Sequence, residues 1–116
     1  MLWAHAESDI RTDLTFRSEY EMNLIRFINL IRGIQPNLPF LIRQQPIEAK
    51  AYLDAEFTGG YDHIIDVNIN IVNTISNCYL VEMPIPFSLG DTIHPSNPAG
   101  NDEMALAYWN VLNGLL

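Results

Sequence analysis

Residues 90–100, GDTIHPSNPAG, are the stretch on which the interpretation of the whole chain depends. They place Asp91 three residues before His94, and Pro95 restricts the backbone directly after the histidine. The remaining positions carry residue types that favour turns, and residues 101–112 then show a helical pattern. This last helix is expected to bury Met104, Ala105, Tyr108, Val111 and Leu112. An Asp-x-x-His loop between a strand and the last helix can hold an imidazole against a carboxylate. The stretch therefore predicts two of the three groups of a hydrolytic triad, an acid and a base.

The segment before this loop, residues 61–77, fits two patterns. Val67, Ile69 and Ile71 alternate with asparagines, which is typical of a strand. The same segment places Ile64, Val67 and Ile71 on one helical face. Its asparagines lower the helix propensity, but its length exceeds that of a usual strand. We therefore predict a helix here, followed by a short strand at residues 78–82.

The first half of the chain predicts a strand, a helix and a second strand. Residues 2–6 are mostly apolar and predict the end of a buried strand. Ser18 and Glu21 form a Ser-x-x-Glu capping box before a helical run that ends near Gly33 and Pro36. Residues 40–44 lie between prolines without a helical stripe, so they predict a mostly buried strand.

The order of these elements predicts an α/β fold. Residues 46–60 are expected to form a loop with at most one helical turn, at residues 48–53. The chain thus runs strand, helix, strand, helix, strand, loop, helix. Such alternation favours a parallel sheet with helices on its faces. With 116 residues and no internal repeat, the chain is expected to form a single domain over residues 1–116.

Composition narrows the class of partner. Hydrophobic residues make up 48% of the chain and charged residues 17%, as in a globular protein. The net charge of -8 disfavours nucleic acid, whose phosphates would be repelled. No apolar run approaches membrane-spanning length, and no signal-peptide pattern is found, so the compartment stays open. Cys78, the single cysteine, is expected to be a small buried hydrophobic residue.

The histidines do not have the spacing of a metal site. His5, His63 and His94 share no helical turn, and no H-x-x-x-H motif occurs. We expect neither a bound metal nor a cofactor. Trp3 and Trp109 are expected to be core aromatic residues rather than platforms for a sugar ring.

Two segments together resemble one family. WAHAESD, residues 3–9, is similar to a W-x-Q-G-E-S-D segment, and DTIHP, residues 91–95, with Gly100 and Ala105 behind it, is similar to a D-x-x-H-P block. Both occur in SGNH (GDSL-type) hydrolases, in the branch of sialate O-acetylesterase-like carbohydrate acetylesterases. The resemblance implies a three-layer, flavodoxin-like α/β/α sandwich. This chain would supply only its C-terminal part, β-α-β-α-β-loop-α.

The resemblance also implies roles for individual residues. Asp91 would orient His94, and His94 would act as the general base in the removal of acetyl groups from a carbohydrate. His5 stands where the family has a glutamine that helps to stabilise the oxyanion, and Ala6 stands where it has a glycine. Glu7 matches the motif and would support the site rather than react.

The family's nucleophilic serine has no counterpart in this sequence. No serine lies in a Gly-x-Ser-x-Gly elbow or a Gly-Asp-Ser turn; the candidates are Ser8, Ser18, Ser76, Ser88 and Ser96. The chain also begins within a predicted strand. We therefore expect it to need an N-terminal half that carries the serine, or to form a homo-oligomer through the exposed strand edge.

Two alternatives stay open. In the first, the Asp-x-x-His segment is an ordinary capped surface loop, since this spacing alone is common. In the second, the chain as a whole is a non-catalytic structural or binding module that keeps the hydrolase scaffold.

Overall fold

Short strands and longer helices alternate along the chain. A computed structural model describes residues 1–3, 14–56 and 58–116, with side chains at residue 1 and, within those ranges, from residue 19 onward. The strands are β1 (Leu2–Trp3), β2 (Phe40–Arg43) and β3 (Cys78–Val81). The helices are α1 (Leu14–Ile34), α2 (Lys50–Glu56), which continues a 3-10 turn at Ile47–Ala49, α3 (Gly60–Thr74) and α4 (Ala99–Leu115).

The three strands form one parallel sheet in the order β1-β2-β3. Leu2 pairs with Leu41 between β1 and β2, and Phe40 pairs with Cys78 between β2 and β3. Parallel neighbours need a crossover connection, and α1 and the α2–α3 pair provide the two crossovers. The predicted α/β class, with a parallel sheet and helices, is confirmed.

The central strand β2 separates two hydrophobic clusters, because successive side chains of a strand point to opposite faces. Phe40 and Ile42 belong to the larger cluster, which contains buried residues of α1, α2 and α3. Leu41 belongs to the smaller cluster, which contains Val81 and Tyr108 of α4. We call these sides of the sheet the α1/α3 face and the α4 face. Within the described residues, helices therefore cover both faces, three on one and one on the other.

The ambiguous segment before β3 is a helix, as predicted. Ile64, Val67 and Ile71 are buried on one side of α3, at helical spacing. Asn68 is fully buried, where its Oδ1 accepts a bond of 2.9 Å from the Tyr20 hydroxyl. Its Nδ2 donates to Gln44 Oε1, also at 2.9 Å. An asparagine on the apolar stripe thus links α3 to α1 and to the end of β2.

The predicted start of the first helix was wrong, whereas its end was confirmed. Helix α1 spans Leu14–Ile34, so Ser18 and Glu21 lie inside the helix and form no capping box at its start. It ends between Gly33 and Pro36, as predicted. The helical turn predicted at residues 48–53 lies within a longer helical segment, formed by the 3-10 turn and α2, so less of this stretch is a loop than expected. The length of this helix was underestimated because the sequence argument rested on helix propensity. It did not include the packing of Leu53, which is buried in the larger cluster.

Two residues of α4 were wrongly assigned to the core. Ala105 is exposed, and Trp109 is 54% exposed. Tyr108 is buried as predicted, and so is Cys78, whose thiol pKa is raised by that burial. The predicted first strand is described only at Leu2–Trp3, and the rest of it lies outside the described residues. Within the described ranges, no helix has both the length and the apolar content needed to cross a bilayer.

Candidate active-site loop

The loop between β3 and α4 closes on itself as a small hairpin over residues 88–96. Leu89 and Pro95 form an isolated antiparallel bridge. The Gly90 amide donates to the His94 carbonyl at 2.8 Å, and the Ser96 amide donates to the Ser88 carbonyl at 2.8 Å. The hairpin follows the carboxyl end of β3, which is the edge of a parallel sheet where ligands bind most often. We refer to it as the 88–96 hairpin.

Gly100 explains how closely α4 approaches this hairpin. A Cβ atom at this position would lie 2.1 Å from the Ser88 carbonyl oxygen and 3.0 Å from Pro95 Cα. The Gly100 amide donates to Ser96 Oγ at 3.0 Å, so this serine satisfies an amide in the first turn of the helix. A glycine is therefore required here for space, not for an unusual backbone angle.

Two glutamates distant in sequence fix the base of the hairpin. Glu103 of α4 accepts from the Ser88 amide at 2.7 Å and from the Ser88 hydroxyl at 2.8 Å. Glu48, in the 3-10 turn before α2, accepts from the Phe87 amide at 2.9 Å. Sequence reasoning did not identify either contact, because each joins residues at least fifteen positions apart without a local motif.

Asp91 and His94 lie in direct contact at the tip of the hairpin. Asp91 Oδ2 lies 2.7 Å from His94 Nδ1. The other carboxylate oxygen, Oδ1, accepts from the Ile93 amide at 2.8 Å and from the His94 amide at 2.7 Å. Three hydrogen bonds therefore hold the carboxylate in one orientation, and the spacing of three residues predicted from the sequence brings the pair together.

These bonds also determine the charge of Asp91. The backbone amides of His94 and Ile93, followed by the His94 ring, lower the pKa of Asp91 from 3.8 to about 2. Asp91 is thus ionised at neutral pH and can only accept. The His94 Nδ1 must then carry the proton in the bond, which leaves the lone pair of the neutral ring on Nε2. A neutral imidazole with a free Nε2 is the form that a general base requires.

The pair lies on an open surface. The His94 side chain is 72% exposed and the Asp91 side chain 54%. Two grooves of the described part lie elsewhere on this end of the sheet, and neither is lined by these two residues. The larger, the α4 groove, has a volume of about 740 Å³ and lies between the end of β3 and α4. The smaller, the α3 groove, has a volume of about 280 Å³ and lies between the ends of β2 and β3 and α3.

The other predicted site residues are not seen beside this pair. His5 and Glu7 lie outside the described residues, as does Ser8, and the Ser18 side chain is not described. The hydroxyls of Ser88 and Ser96 bond to Glu103 and to Gly100. No serine hydroxyl among the described side chains bonds to His94, and the same part of the chain contains no group of three His, Cys, Asp or Glu residues able to hold a metal.

A buried polar group at the carboxyl end of β2 was also not predicted. Arg43 is 4% exposed, and its NH2 donates to Gln45 Oε1 at 3.4 Å. Its NH1 lies 3.7 Å from the sulfur of Met104 on α4. Burial raises the pKa of the neighbouring Tyr108 to about 12, against the opposing effect of the Arg43 charge. The cover provided by α4 keeps this arginine, at the end of a buried strand, from solvent.

Comparison with protein-family models, with curated proteins and with solved structures finds no match to this chain.

Proposed function

We propose that this chain is the C-terminal portion of a serine carboxylic-ester hydrolase of the SGNH type, which removes O-acetyl groups from carbohydrates. Asp91 is the acid and His94 the base, and the nucleophilic serine belongs to a segment outside this chain. The observation that carries the proposal is the bond of 2.7 Å between Asp91 Oδ2 and His94 Nδ1, on a hairpin after the last strand of a parallel sheet.

The geometry supports a defined sequence of proton transfers. His94 Nε2 takes the proton of the serine hydroxyl as the serine oxygen attacks the acetyl carbonyl. The ionised Asp91 stabilises the imidazolium that forms, and its two amide bonds keep it from moving. His94 then gives the proton to the departing sugar oxygen. Water, activated by the same ring, hydrolyses the acetyl-serine. In this proposal His5 donates to the oxyanion and Glu7 supports the site.

The arrangement of layers is also part of the proposal. Helices on both faces of a parallel sheet are consistent with a flavodoxin-like α/β/α sandwich, of which three strands are described. Among the described residues β1 pairs with β2 only. We propose that the outer edge of β1 receives a strand from the serine-bearing half, or from a second copy, because an unpaired edge favours association.

The test is acetyl-ester hydrolysis by the chain alone and after addition of a polypeptide that carries the serine block. We expect activity on acetylated xylose or p-nitrophenyl acetate only in the mixture. His94→Ala should lower the rate of the mixture by about 10⁴-fold or more, since removal of the base disables the triad. His63→Ala is the matched control, because His63 lies on α3 rather than in the hairpin, and it should retain the rate. A mixture whose activity survives His94→Ala would exclude the triad.

One observation favours the alternative, a non-catalytic module. Asp91 Oδ1 closes an Asx-type turn with the Ile93 and His94 amides, and this alone keeps the shape of the hairpin without any chemistry. If Asp91 only closes the turn, removal of the His94 ring should leave the function of the chain unchanged. If both His94→Ala and Asp91→Asn leave every measured function of the mixture unchanged, the module is the better description.

A further inference from the structure

An apolar surface surrounds the carboxyl end of β3. The α4 and α3 grooves share one wall, formed by Leu80, Glu82 and Met83. Leu106, on the far side of the α4 groove, is 59% exposed, and Ile85, on the rim of the α3 groove, is 82% exposed. Exposed apolar side chains around a groove with a polar rim mark interaction sites, so the two grooves together have the character of one.

The charges that line the α4 groove, Glu82 and Glu103, are of one sign, whereas the Lys50 ammonium lies 4.9 Å from the ring centroid of Tyr61 at the α3 groove. All six lysine and arginine residues of the chain lie within residues 1–50. Residues 51–116 contain eight acidic residues and no lysine or arginine; the acids are Asp54, Glu56, Asp62, Asp66, Glu82, Asp91, Asp102 and Glu103. Glu103 accepts hydrogen bonds from the amide and the hydroxyl of Ser88, and neither donor neutralises its charge. The field at the α4 groove is therefore negative and attracts a cation.

Glu82 is the group that such a cation would meet. It stands on the shared wall, its side chain is exposed, and its carboxylate makes no hydrogen bond or ion pair within the described part of the chain. A carboxylate between two apolar grooves can pair with one positive side chain while the neighbours of that side chain enter the grooves.

We propose that the two grooves form a docking surface for a cationic amphipathic helix of another protein. Its apolar side chains fill the α4 groove against Leu106, in the helix-in-groove mode, and one lysine or arginine pairs with Glu82. The occupant is not a second copy of this chain. Two copies each carry a net charge of -8, and a twofold contact of this surface with itself would bring acidic rims together.

The experiment measures binding of a labelled helical probe to the full chain by fluorescence anisotropy. The probe contains leucine, alanine and lysine, with leucine at every third or fourth position. A second peptide has the same pattern with glutamate in place of lysine, and a third has the same composition in scrambled order. The groove variants are Glu82→Gln and Leu106→Ser. Their matched controls on α4, outside both grooves, are Asp102→Asn and Trp109→Ser.

We expect the lysine probe to bind, and the glutamate and scrambled peptides to bind at least about tenfold more weakly, since they lack the charge or the apolar stripe. Glu82→Gln should weaken binding of the lysine probe by about threefold to fivefold, and Leu106→Ser should weaken it by about tenfold. Both controls should stay within about twofold of the unchanged chain, because neither residue lines a groove.

Three results would overturn the proposal. The first is equal affinity of all four variants, and the second is equal binding of the scrambled peptide, which would show attraction to net charge alone. The third is self-association of the unchanged chain in sedimentation that Leu106→Ser abolishes, since the groove would then belong to a second copy.

Discussion

The two faces of the sheet are covered to different degrees. On the α1/α3 face, three helices bury Leu24, Ile28 and Ile71 almost completely. On the α4 face, a single helix covers a smaller cluster, and Trp109 and Leu106 of that helix remain in solvent. Packing is therefore divided unequally between the faces. The first face supplies the larger core, while the second carries a smaller cluster and the α4 groove. The 88–96 hairpin touches both clusters, through Ile93 and Leu89.

Neighbouring residues of β2 test this division most strongly. Ile42 points to the α1/α3 face and Leu41 to the α4 face, and both are buried. We expect Ile42→Ala to lower the free energy of unfolding by about 4 kcal/mol and Leu41→Ala by about 2.5 kcal/mol. The loss should be smaller for Leu41→Ala because the cavity that it leaves is covered by α4 alone among the described helices and can collapse more easily. The cavity left by Ile42→Ala is enclosed by three helices. Urea unfolding followed by circular dichroism measures both, and equal losses would contradict the division.

Gly100→Ala tests the approach of α4 to the hairpin. The added methyl group would meet the backbone of Ser88, which cannot move aside as a flexible side chain can. We expect a loss of about 2–3 kcal/mol in the free energy of unfolding. Gly114→Ala is the control, because a methyl group added there would have nothing within 4 Å and alanine is the better helix former. The control should be neutral or slightly stabilising, and a similar loss in both variants would show that close packing is not the cause.

Asn68→Ala tests the polar contact inside the α1/α3 face. The change leaves the Tyr20 hydroxyl and the Gln44 amide without their shared partner. We expect the free energy of unfolding to fall by about 1–3 kcal/mol, the range for a buried polar group that loses its partner. Asn73→Ala, at an exposed position on the same helix, should change it by less than about 0.5 kcal/mol. Thermal and urea unfolding of the two variants provide the comparison.

The smallest effect concerns acid, which should weaken the 88–96 hairpin only at very low pH. The pKa of Asp91 is lowered to about 2, so its stabilising bonds are fully present above its ordinary value of 3.8. They are lost as the pH falls through about 2, when the carboxylate is protonated. Carboxyl NMR shifts of Asp91 should give this midpoint. In His94→Ala the midpoint should stay below 3.8, since the two amide bonds are the larger causes. A return to 3.8 would mean that the ring is the dominant partner.

Local spacing explains what could be predicted from the sequence. The contact of Asp91 with His94 depends on three residues of separation and on turn residues around them, so the sequence contains it. The order of strands and helices followed from periodicity, and α3 followed from its length. The false capping box at Ser18 and Glu21 arose because a helix that begins earlier can contain the same pattern by chance.

Non-local contacts explain what could not be predicted. Glu48, Glu103 and Asn68 bind partners that only the folded chain brings near. The exposure of Trp109 has another cause. Helix α4 is apolar on more than one side, and periodicity does not tell which side the sheet will cover. The roles proposed for His5 and Glu7 remain predictions, since both residues lie outside the described part.

The close contact of Gly100 with Ser88 has a consequence for the position of the hairpin. An α-helix turns by about 100° for each residue, so a shift of α4 by a single position would rotate its whole surface. Because the first turn of this helix touches the backbone of Ser88 and Pro95 directly, such a rotation would also displace the hairpin. The last helix is therefore coupled mechanically to the loop that carries Asp91 and His94.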